Sequence, residues 1–69
     1  MTQKELLYLE DAIGHENNII MICENNIDII SNPEIASFMK DERKKHVSMK
    51  EKLLSFLEDK KDEWLLIFR

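Results

Sequence analysis

One interruption governs what this chain can fold into: Ser31-Asn32-Pro33-Glu34, which carries the only proline in 69 residues. Proline disfavours helical geometry at the residue before it and has no amide proton to continue a hydrogen-bond ladder. The same residue suits the first position of a new helix, with Asn32 or Ser31 as the cap and Glu34 near the positive end of the helix dipole. On both sides of this break the apolar residues recur every three or four positions. The chain therefore reads as helix, tight turn, helix, a single domain over residues 1–69. Helix 1 is expected over about residues 3–30, the turn over 31–33, and helix 2 over about 34–60 or on to the C-terminus.

Helix 1 has its own start signal. Thr2 and Glu5 have the spacing of a capping box, in which each side chain bonds the other residue's backbone amide. From there Leu6, Leu9, Ile13, Ile20, Cys23, Ile27 and Ile30 form a stripe with one polar member, Glu16. A second stripe runs beside it through Tyr8, Ala12, Ile19, Ile22 and Ile29, with His15 and Asn26 as its polar members. Two adjacent stripes are more than one neighbour can cover, so helix 1 is expected to meet at least two others. On helix 2 the expected stripe is Ile35, Met39, Glu42, His46, Met49, Leu53 and Phe56 or Leu57. Its polar members again lie in the middle.

Size makes this pattern a problem for a single copy. A chain so short buries only about 60% of the surface its unfolded form exposes, and usually needs a supplement to its core. A disulfide is excluded, because Cys23 is the only cysteine; a lone thiol fits a reducing compartment, where it serves as a small apolar residue. The start of the chain lacks the order of a signal peptide, and the longest apolar runs, Ile19–Cys23 and Trp64–Phe68, are too short to span a bilayer. The expectation is a cytoplasmic protein. A net charge of −4 with acids and bases interspersed leaves no electrostatic footprint for nucleic acid, and the Arg43-Lys44-Lys45 cluster reads as a solvated helix face. If helix 2 folds back on helix 1, the tail Trp64–Phe68 overhangs uncovered. The favoured supplement is a second copy: a homodimer of hairpins forming an antiparallel four-helix bundle.

The polar seam residues are the candidate site. Glu16 and His46 lie about equally far from the turn, roughly 22 Å at 1.5 Å of rise per residue. Glu42 is one turn from His46 on the same face, and His15 flanks Glu16. A buried carboxylate must be partnered, solvated, protonated or bound to a cation. Three arrangements follow: a Glu16–His46 pair that fixes register, a metal layer, or groups pointing to solvent because the stripe is offset. For the metal layer, doubling Glu16, Glu42 and His46 by symmetry gives four carboxylates and two imidazoles. That is the ligand inventory of di-iron and di-manganese bundles, although those use Glu-x-x-His and here three residues separate Glu42 from His46. Zinc held by paired His46 and Glu16 is the other metal option. Gly14, inside a helix, fits close helix approach or room for a bound group. No glycine-rich loop, cysteine pair, or nucleophile with a base beside it occurs, so no catalytic residue is assigned.

The phrase TQKELLYLEDAIGHENNI, followed by NPEIASFMKDERKKHVSMKEKLLSFL, resembles the short spore-coat proteins related to coat protein F, ferritin-like helical hairpins of endospore-forming bacteria. The resemblance covers about residues 2–57. It rests on the Glu-Asp-Ala-x-x-His-Glu step from Glu10 to Glu16, the Asn-Pro-Glu-Ile turn and the Lys-His of helix 2. It implies a ferritin-like arrangement, a coat or spore-associated role among other coat proteins, a place in the mother-cell cytoplasm and spore coat, and no established catalytic activity. His15, Glu16 and His46 fall on the motif positions. Met49 stands where members of the family carry a further histidine, and Trp64–Arg69 falls outside the resemblance.

Overall fold

The computed structural model describes residues 1–59. Two helices, α1 (Gln3–Ile27) and α2 (Pro33–Asp59), pack against each other as a hairpin. No strand occurs among the described residues. The tail Trp64–Phe68, expected to overhang, and the expected end of helix 2 beyond Asp59 lie outside them.

Each helix starts where the local chemistry directs. Thr2 is the N-cap of α1: its Oγ1 accepts from the Glu5 amide at 3.1 Å, and its own amide donates to Glu5 Oε1 at 3.0 Å. Asn32 caps α2, its Oδ1 accepting from the amides of Glu34 at 2.9 Å and Ile35 at 3.2 Å. Pro33 takes the first helical position, where a missing amide proton costs nothing.

The first helix ends at Ile27, short of the expected Ile30. The Asn26 carbonyl accepts from the amides of both Ile29 and Ile30, at 3.2 and 3.1 Å, and the Asn26 side chain donates to the Ile22 carbonyl at 2.7 Å. Asp28 adds negative charge at the negative end of the dipole, and the last turn holds no basic residue to offset it. Residues 28–32 make the reversal, since Asn32 must already be extended before Pro33.

The seam on α1 follows the expected stripe: Leu6, Glu16 and Cys23 are buried, and Leu9, Ile13, Ile20, Ile27 and Ile30 are half-buried. On α2 it does so in part: Met39, Glu42, His46, Leu53 and Leu57 are half-buried as expected, and Ala36, Arg43 and Lys50 join them in the seam. Ile35, Met49 and Phe56 are instead exposed. Arg43 reaches across to Glu24, its Nε and Nη2 both 2.9 Å from Glu24 Oε1. Arginine and lysine lay aliphatic stems along a seam while their charged ends reach water. The stronger apolar residues of α2 are thereby left on its flank.

Candidate functional site

The polar cluster midway along the seam joins both helices. Glu16 projects inward midway along α1 because it occupies a stripe position, and His46 does the same on α2. His46 Nδ1 lies 2.5 Å from Glu16 Oε2, the side chains being 15% and 10% exposed. Nδ1 and Oε2 share one hydrogen bond across the seam. On the other side of the ring Nε2 lies 3.4 Å from Glu42 Oε2, one turn earlier on α2. The imidazole is thus a bridge: Glu16 grips it from the facing helix, and Glu42 holds it from its own.

Of the four candidate residues, three meet. His15 does not: it is exposed, and no hydrogen bond or ion pair ties it to the cluster. The sequence places it next to Glu16, but adjacent residues on a helix project about 100° apart and do not face one another. Gly14 leaves no closely packed neighbour behind, since a Cβ built on it would meet nothing within 4 Å. Within one copy the close-approach reading of Gly14 therefore has no partner atom.

The arrangement limits what chemistry is available. The two carboxylates lie on opposite sides of the imidazole, so one cation cannot take both of them and the ring at a single point. Among the described residues no three histidine, cysteine or acidic side chains converge as a metal site. Cys23 is a free, buried thiol, two helical turns along α1 from Glu16, and the carboxylate–imidazole contact does not involve it. The Glu24–Arg43 pair is the participant that the spacing did not reveal. Its signal was available only in hindsight: Arg43 lies three residues before His46, hence on the same side of α2.

Among the described residues no helix is long and apolar enough to cross a membrane. Comparison with protein-family models, with curated proteins and with solved structures gave no significant match.

Proposed function

We propose that this chain is a non-enzymatic structural or interaction protein that acts as a homodimer, two hairpins completing an antiparallel four-helix bundle of ferritin-like arrangement. A spore-coat or spore-associated role follows from the resemblance of residues 2–57. The observation that carries the reading is how little one hairpin hides. Among the described residues Leu6 and Cys23 are the only buried hydrophobic ones, while ten large hydrophobic side chains stay exposed. A soluble chain that exposes so much apolar surface has a partner for it. The polar cluster supports the same reading, because its charges are spent on one another and on register, as buried polar groups in helical bundles can be. Sedimentation equilibrium at micromolar concentration tests it: a mass of twice 8.3 kDa is expected, and a single-copy mass at every concentration overturns it.

A second reading is a metal-binding or metal-oxidising dimer, and one observation favours it. Metal-bound histidines commonly donate their other ring nitrogen to a carboxylate, which fixes the ring's orientation. Glu16 stands in that relation to Nδ1, leaving Nε2 beside Glu42. In this reading His46 and Glu42 are two ligands, Glu16 orients the ring, and a second copy supplies the rest of an iron, manganese or zinc site. Metal analysis of protein purified without an affinity tag separates the two readings. Stoichiometric metal that is lost in His46→Ala supports the second; metal-free protein whose melting temperature is unchanged by chelator supports the first.

A further inference from the structure

The exposed apolar residues are not spread evenly around the hairpin. Two antiparallel helices packed side by side are related by a pseudo-two-fold axis perpendicular to the plane that holds them, and that rotation leaves each broad face on its own side. The residue preceding each inward position therefore projects from the same broad face on both helices. On α1 these residues include Tyr8 and Ile22, and on α2 Ile35, Phe38, Met49 and Phe56. All six are exposed, and they are six of the ten exposed large hydrophobics. Half-buried Ile19 lies between Tyr8 and Ile22 on the same face. The residues following the inward positions form the opposite face. That face is largely polar, with Glu10, Asn17, Lys40, Lys44 and Glu51 exposed and only Leu7, Met21 and Leu54 as exposed apolar members.

We propose that the face carrying Tyr8, Ile22, Ile35, Phe38, Met49 and Phe56 is the surface on which a second copy of this chain docks, face against face. The proposal rests on the homodimer reading and goes further by assigning the surface. Three properties point to a second copy as the occupant. Two helices of 25 and 27 residues, about 40 Å long at 1.5 Å of rise per residue and each about 10 Å across with side chains, present a broad face on the order of 800 Å², the area each partner contributes to a standard stable interface. The formal charges on this face cancel, Glu5 and Glu42 against Lys45 and Lys52, so the net −4 of the chain is carried elsewhere and does not oppose self-association there. Because those charges have mixed signs, no block of like charge faces its own copy across such an interface. Docking also covers the cluster in the seam, since Glu42 is the member of the bridge that projects from this face. It is 31% exposed in the single hairpin, against 10% for Glu16.

The test pairs one substitution on each face. Phe38→Glu places a charge in the proposed interface, and Met21→Glu places one on the opposite face. Both side chains are exposed within the hairpin, so neither change disrupts packing inside one copy. Sedimentation should show a dissociation constant raised roughly 30-fold or more for Phe38→Glu, the scale of losing an interface anchor, and little change for Met21→Glu. Dimers equally weakened by both, or by Met21→Glu alone, overturn the face assignment while leaving the homodimer reading intact. A wild-type protein that stays a single copy throughout removes that reading and this one with it. A second measurement needs no substitution. In a mixture of isotopically labelled and unlabelled protein, intermolecular nuclear Overhauser effects from the Phe38 and Phe56 rings are expected, and effects from Leu7 and Met21 instead contradict the assignment.

Discussion

The Glu16–His46 contact is the residue on which most of the account turns, and its energetics are asymmetric. Removing one member of a buried ion pair leaves an uncompensated buried group, at a cost of about 3–5 kcal/mol, whereas replacing both members by apolar residues is often neutral or stabilising. His46→Leu should therefore destabilise the protein by about 3 kcal/mol, and the double variant Glu16→Leu/His46→Leu should recover most or all of that loss. Urea denaturation of the three proteins checks it, and a double variant as unstable as the single one would mean that the pair itself holds the fold together. Glu5 supports a pH prediction of the opposite kind, at the surface. The Thr2 amide, and then the Thr2 hydroxyl, hydrogen-bond its carboxylate and hold its pKa below the ordinary value of 4.5. A carboxyl whose pKa is depressed by folding contributes stability above its unfolded value and loses it as pH falls through the folded value. The first turn of α1 should therefore fray as pH falls below about 4.5, as amide chemical shifts of Thr2 and Glu5 would report.

At the scale of elements, the two helix starts have identifiable causes and comparable weights. Asn32→Ala removes the acceptor for two amides at the start of α2 and should cost about 1 kcal/mol, measurable as a lower urea midpoint with an unchanged slope. Much of this level was legible before any coordinates. The Thr2 box, the Asn32–Pro33 start, the α1 stripe and the meeting of Glu16 with His46 all follow from local chemistry and from rise per residue. The two misplacements have separate origins. The end of α1 depends on how Asn26 divides its carbonyl and side chain among its neighbours, and several hydrogen-bond patterns fit the same letters. On α2 the periodicity takes in Ile35, Met49 and Phe56 or Leu57 beside Met39, His46 and Leu53, and Ile35, Met49 and Phe56 prove to be exposed. Hydrophobic periodicity shows that a face is apolar without showing what it faces, and α2 has two such demands: Met39, His46 and Leu53 toward α1, and its flank away from it. Arg43 and Lys50 read as solvent-facing charges, yet their stems line the seam. His15 misled for a simpler reason, since adjacency in sequence is not adjacency on a helix.

For the whole molecule, the question is whether one hairpin is a stable object. Each helix buries one stripe against the other, and the outcome is a seam with two buried hydrophobic residues and a buried glutamate. Ordering a residue's backbone costs roughly 1–2 kcal/mol, and a core this thin gives little to set against that cost over two long helices. In the proposed dimer pairing supplies what is missing, so folding and association should be one event and stability should depend on protein concentration. The measurement that tests this most directly is the melting temperature as a function of concentration, followed by circular dichroism at 222 nm, the standard helical signal. Over a hundredfold range of protein, a rise of roughly 5–10 °C is predicted, as mass action requires of a dimer that unfolds to separate chains. A melting temperature that stays constant over that range, with helicity intact at the lowest concentration, would show that a single hairpin stands alone and would contradict the account.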